Sequence, residues 1–335
     1  MVQLSILDLV RVRQDTTART ALDDARNLAA HAESLGYQRY WVAEHHNMPG
    51  VASAATAVVI GHIAAGTRRI RVGAGGIMLP NHAPIVIAEQ FGTLAQLFPG
   101  RIDLGLGRAP GTDQATMRAL RRSLTNGDAF PQDVLELQDY FAAPREGQAI
   151  QAVPAGGTEV PLWILGSSTY GAQLAAALGL PYGFASHFAP DQLGAALAIY
   201  RDRFKPSRQL DRPHAMVGVN IVAADTDAEA RRLATTQQMS FANMFRGARG
   251  LSQPPIDDID AYWSPIEKAQ AMRMLACSIV GSPETVRAGI AALIAETRAD
   301  ELMIVSDIYD QGARRRALEI IAEVASRGHD HAVAA

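Results

Sequence analysis

Short apolar runs alternate with amphipathic segments along almost the whole of this 335-residue chain, and that alternation is the strongest constraint on its fold. A strand followed by a helix that packs back on it must be followed by a parallel strand. Eight such units at this length predict an α/β chain closed into a (β/α)8 TIM barrel. The runs place strands at 4–10, 39–44, 70–76, 101–107, 162–166, 182–185, 216–223 and 301–306. Helical periodicity falls between them, at 20–35, 54–65, 84–98, 168–178, 191–204, 228–239, 283–296 and 313–325. Ser282 ahead of Pro283 predicts an N-cap. Two stretches break the rhythm, 110–160 after the fourth strand and 241–280 after the seventh. Both are too long for plain connections and predict insertions over the barrel mouth. No composition shift marks a second domain, so residues 1–335 are expected to form one.

Charge and cysteine content narrow the function. A formal net charge of −3 offers no electrostatic footprint for nucleic acid or an anionic membrane. The single cysteine, Cys277, excludes an internal disulfide, fits a reducing cytoplasm and reads as a small core residue. The apolar opening is interrupted by Asp8 and followed by Arg11 and Arg13, so it predicts a first strand rather than a signal sequence. The apolar stretch at 51–65 is too short to span a bilayer.

The chemistry concentrates at strand ends. Tyr40-Trp41-Val42 runs straight into Glu44, His45 and His46. Strand parity puts Glu44 and His46 on one side and His45 on the other. Ionisable groups at the C-terminal end of a parallel strand sit where barrel ligands bind. The glycine-rich stretch 72–80 ends the third strand; Gly75 and Gly76 predict either a close approach to the backbone or a sharp exit turn. Arg108, flanked by Gly107 and Gly111 at the end of the fourth strand, predicts a phosphate or carboxylate clamp, against a rim ion pair. Ser167 and Ser168 precede a helix and predict an anion-binding start, against ordinary capping. Together with Arg108 they describe one phosphate held between the fourth and fifth strands. Glu44, His45 and His46, completed by His62, His82 or His187, also invite a metal-hydrolase reading. Neighbouring strand residues diverge, however, so His45 and His46 cannot readily share an ion, and no metal is expected. Arg118, Arg121 and Arg122 in the first insertion, and Arg314, Arg315 and Arg316 near the end, read as solvated faces, the former also placed to meet an anionic cofactor.

These segments in this order resemble the bacterial luciferase-like flavin monooxygenases, closest to their single-subunit branch. The match runs through residues 41–48, 72–82, the stretch 99–111 with Arg108-Ala109-Pro110-Gly111, 166–168, 179–181 and 280–286. The resemblance implies a barrel that takes reduced FMN from a separate NAD(P)H:flavin reductase and uses O2, through a peroxyflavin, to oxygenate a small organic substrate. By position His45 matches the active-site histidine and Glu44 a residue lining the flavin site. Gly75-Gly76 matches a cis peptide beneath the flavin ring, Arg108 the flavin-phosphate ligand, and Ser167 and Ser168 the phosphate-binding helix start. A homodimer through the helices at 54–65 and 84–98 is likewise implied. Gly107 and Ser167 stand where luciferase itself has a cysteine and a glutamate, which argues against a long-chain aldehyde and light emission. The rival expectations are a deazaflavin-dependent hydride-transfer oxidoreductase and a non-catalytic flavin-binding protein.

Overall fold

The computed structural model describes residues 2–109, 114–122 and 129–327. The elements are β1 (Gln3–Asp8), α1 (Ala18–Ser34), β2 (Arg39–Val42), α2 (Thr56–Ala65), β3 (Arg71–Met78), α3 (Pro84–Leu97), β4 (Ile102–Gly107), α4 (Gln114–Ala119), α5 (Phe130–Phe141) and β5 (Leu162–Gly166). They continue with α6 (Thr169–Leu178), β6 (Tyr182–Phe184), α7 (Leu193–Arg203), β7 (Ala215–Ala223), α8 (Asp227–Phe245), α9 (Pro265–Met274), β8 (Ser278–Gly281), α10 (Pro283–Thr297), β9 (Glu301–Val305) and α11 (Gln311–Arg327). Strands β1 to β7 pair in chain order, all parallel, and β9 closes the ring between β7 and β1. This is a closed eight-stranded (β/α)8 barrel, as the alternation predicts.

The strand β8 departs from that expectation, which counted the run at Glu301 as the eighth. One edge of β7 pairs with β6 through Ala215, Met216 and Val217 and then with β8 from Asn220 to Ala223, while β9 holds the other edge. The short β8 therefore extends the sheet beyond the end of β6, outside the ring. Its four residues run directly into the Ser282-Pro283 helix start, so the sequence reads there as the approach to α10. Ser282 does occupy the N-cap of α10 but makes no side-chain cap bond. Instead Asp227 Oδ1 accepts its N–H at 2.6 Å and the Thr285 hydroxyl at 2.8 Å.

Side chains alternate across each strand. On β2, Tyr40 and Val42 face the helices, and Trp41 faces the barrel axis. The inner layer comprises Leu7, Trp41, Ala43, Trp163, Met216, Met303 and Val305, with Trp41 and Trp163 edge to face at 5.2 Å. Below it, at the N-terminal ends of the strands, Arg39 bridges Asp103 at 2.7 Å and Glu301 at 2.9 Å. Arg71 also pairs with Asp103, and Arg39 stacks over Trp163 at 4.7 Å. Buried charges persist only when paired. This network plugs one end of the barrel and leaves the C-terminal end as the mouth.

The last helix corrects the expectation of a solvated arginine face. Arg314 is buried: its guanidinium lies 2.9 Å from Asp8 Oδ1 and donates to the Ser306 carbonyl at 2.8 Å. The Tyr40 hydroxyl donates to the same Asp8. This cluster ties α11 to β1 and β2 on the outer side of the barrel. No helix among the described residues is long and apolar enough to cross a membrane.

Candidate active site

Glu44 is the centre of the mouth. It is buried, and an ionised carboxylate can only accept, so the groups around it must donate. His46 Nε2 lies 2.7 Å and His82 Nε2 2.9 Å from Oε1, with Asn81 Nδ2 at 3.2 Å; the Met78 N–H donates to Oε2 at 2.8 Å. Burial pushes the carboxyl pKa up, but the hydrogen bonds from His46, His82 and Met78 outweigh it and hold it at about 2. The bond to Glu44 in turn raises the pKa of His46, with burial in partial opposition. The parity argument is thus borne out: Glu44 and His46 share a side.

His45 takes the other side. Burial lowers its pKa, Glu44 partly opposes this, and Arg11 and Arg249 add repulsion; the ring is neutral at pH 7. Its Nδ1 is sealed from solvent without a partner among the described residues. Arg11 is fixed by Asp307 at 3.6 Å and by the Ser240 hydroxyl. Arg249 is exposed and unpaired among the described residues. The loops carrying these groups are joined largely through backbone, with the Ser53 hydroxyl also donating to Leu9 O at 3.4 Å. The Val12 N–H donates to Gly50 O at 3.0 Å, Ser252 N–H to Val12 O at 2.8 Å, and Gln14 N–H to Ser252 O at 3.0 Å. A Cβ on Gly50 would run into Gly250 O.

The three proposed completing histidines part company. His82 joins Glu44 and His46, whose ligand atoms all lie within 4.8 Å of one another. His187 sits on the His45 side. His62 pairs with Asp23 at 3.6 Å on α2 and plays no part in the mouth. The trio of Glu44, His46 and His82 has donors enough to satisfy its carboxylate without a cation.

The glycine stretch contains no exit turn: β3 continues to Met78, with a register shift between Gly75 and Ile77. The Gly75–Gly76 peptide is cis, and the Glu44 N–H donates to Gly76 O at 3.1 Å. A Cβ on Gly75 would lie 2.8 Å from Leu7 Cδ1, and one on Gly76 2.7 Å from Gly105 O. Close approach is therefore the reason for both glycines.

At the rim, Arg108 stacks on the Tyr170 ring at 4.2 Å and has no acidic partner among the described residues. Tyr170 belongs to the first turn of α6, so the stack brings the end of β4 to the start of that helix. Ser168 is the N-cap of α6, yet its side chain makes no cap bond, and neither its hydroxyl nor that of Ser167 has a partner among the described residues. Gln192 Oε1 occupies the Thr169 N–H at 3.1 Å. A free guanidinium beside unused hydroxyls at a helix start fits a phosphate better than a structural cap. Pro110 and Gly111 of the same motif lie outside the described residues. In the insertion, Arg122 is anchored on Asn81 O at 3.1 Å, which ties α4 to the mouth. Arg11 and Arg249 received no site role in the sequence reading, and His187 only a place in the disfavoured metal reading. Of these, His187 had a usable signal, since it follows a strand end as His45 does.

Ionisable side chains gathered at the C-terminal mouth of a closed (β/α)8 barrel define the class of fold in which barrel enzymes place their sites. The luciferase-like monooxygenase family model matches residues 2–301. A luciferase-like monooxygenase of Escherichia coli (strain K12) is 51% identical over 324 residues, which span 96% of this chain and 97% of that one. The chain belongs to this family. Its structure is similar to apo-MsnO8, with a TM-score of 0.90 and 35% identity over 97% and 99% of the two chains. The fold is shared with the FMN-bound oxygenating constituent of 3,6-diketocamphane monooxygenase, a type II Baeyer-Villiger enzyme (TM-score 0.73, 20% identity, 97% and 98% covered). It is also shared with an F420-dependent secondary alcohol dehydrogenase (TM-score 0.71, 15% identity, 96% and 98% covered).

Proposed function

We propose that this chain binds reduced FMN at the barrel mouth and uses it with O2 to oxygenate a small organic substrate. The observation that carries the reading is Arg108, which among the described residues has no acidic partner and stacks against the first turn of α6, where two serine hydroxyls are unused. Arg108, Ser167 and Ser168 would hold the phosphate, and Gly75 and Gly76 would line the site of the ring. When bound and reduced, FMN supplies the electrons that activate O2. The chain itself excludes water through the insertions, since the apolar inner layer closes the floor, and orients the cofactor. Neutral His45 accepts or gives a proton at the substrate side. Glu44, held ionised, keeps His46 and His82 as donors and fixes the backbone at Met78.

In this reading a separate NAD(P)H:flavin reductase supplies reduced FMN, and the enzyme works in the cytoplasm. Homodimerisation through α2 and α3 is supported by Val58, Val86 and Leu97, which expose 74%, 42% and 65% of their surface there. The F420-dependent neighbour supports a second reading, hydride transfer to or from a deazaflavin. An anaerobic titration with reduced FMN, followed by mixing with O2, tests the first. Saturable binding and oxygen uptake are expected. Reduced F420 binding in place of FMN would overturn it in favour of the second, and binding of neither would refute both.

A further inference from the structure

His45 follows β2 and His187 follows β6, four places apart in a ring of eight strands. His187 lies past the end of its strand at the mouth, and His45 adds repulsion to the burial that lowers its pKa. Three features build the post on which His187 stands. Its ring lies on the backbone of β7 at Gly218, where an added Cβ would run into Nδ1. Its carbonyl accepts from Asn220 Nδ2 at 2.6 Å, and the buried Gln237 Nε2 donates to Asn220 Oδ1 at 2.7 Å. Phe188 packs edge-on against the imidazole at 4.8 Å. A polar asparagine in the middle of a fully buried strand is costly, and here its service is to hold this loop.

The sealed Nδ1 meets no acceptor. An N–H pointed at carbon loses its hydrogen bond outright, so the ring proton sits on Nε2. That atom has no partner among the described residues. Burial, with His45, keeps the ring neutral by lowering its pKa to about 4.

We propose that His187 is a substrate-contact residue whose Nε2–H, on the ring edge turned away from Gly218, donates a hydrogen bond to a carbonyl-type oxygen of a neutral organic substrate. A neutral donor with an aromatic flank suits a neutral acceptor on an apolar skeleton. This rests on the flavin-oxygenase reading for its catalytic meaning but not for its test.

The test uses the full-length protein with 15N-labelled histidine side chains at pH 7. Cyclohexanone serves as the carbonyl probe, and methylenecyclohexane as a probe of the same shape without an acceptor. The expected spectrum shows His187 neutral with the proton on Nε2. That resonance shifts on adding the ketone and not on adding the hydrocarbon. His187→Phe should weaken ketone binding by about tenfold, the worth of one neutral hydrogen bond, and His187→Gln should restore much of it. Gly218→Ala, which displaces the ring, should lower the ketone preference even if His187→Phe fails to fold. A charged or Nδ1-protonated His187, or equal responses to the two probes, would overturn the proposal. FMN titration of the same samples separates the two ideas. FMN binding without a ketone response removes only His187 from the substrate site, and a ketone response without FMN binding removes only the flavin reading.

Discussion

Replacing Glu44 by glutamine keeps the shape of the side chain and removes its charge. Four donors converge on the two carboxylate oxygens, whereas an amide offers one accepting oxygen and turns two N–H groups toward the rest. The fall of the Glu44 pKa from 4.5 to about 2 corresponds to about 3 kcal/mol of stability. Spread over 335 residues, that loss lowers the melting temperature by about 4 °C. The pH dependence is the sharper signature. A depressed carboxyl pKa stabilises the fold fully above its unfolded value of 4.5, and the stabilisation is lost as pH falls toward 2. His46 has the opposite sign: its raised pKa stabilises below 6.5 and is lost as pH rises through the folded value. The stability difference between wild type and Glu44→Gln is therefore largest between about pH 4.5 and 6.5. It should shrink on both sides, by about 1.4 kcal/mol per pH unit on the acid limb. Urea unfolding followed by tryptophan fluorescence from pH 3 to 8 measures it. A difference that stays flat across this range would refute the network as the source of the effect.

Three further outcomes are expected. Arg108→Ala should weaken reduced-FMN binding by about 2–3 kcal/mol, the worth of a charge-assisted phosphate contact; unchanged affinity in an anaerobic titration would remove the clamp. His45→Ala should leave that affinity nearly intact but speed reoxidation of the bound cofactor in stopped-flow mixing with O2, and identical traces would take His45 out of the chemistry. Arg314→Met should cost about 3–5 kcal/mol by stranding the buried Asp8 carboxylate, visible in urea melts at pH 7. Because the stranded acid can be neutralised, the loss should diminish below pH 4.

Much of this molecule is legible in its residues because strand and helix periods are local. The barrel follows from run lengths and spacing, and the pairing of Glu44 with His46 follows from the period of two along a strand. What escaped reading depends on contacts made far along the chain. The short β8 has no period of its own to display, and only β7 reveals it. Arg314 looks like any surface arginine until Asp8, some three hundred residues earlier, is brought beneath it. His187 acquires a purpose only when Gly218 and Asn220 supply a seat and a brace from another strand. His62 shows the converse: its residue type suited the mouth, but its helix faces elsewhere.

The backbone seam that joins the loops at Val12, Gln14, Gly50 and Ser252 bears on how such an enzyme changes its diet. Those bonds use N–H and carbonyl groups that almost every residue carries, so exposed side chains beside the seam can be exchanged without moving the rampart that bears them. Gly50 is locked by the approach of Gly250, and Val12 and Ser252 by burial. A descendant could acquire a new substrate by redressing positions such as Arg11 and Arg249 while the acid–base centre behind them stays in register. Chemistry and choice of substrate are thereby free to drift apart, one held by the strands and the other worn on an exchangeable coat.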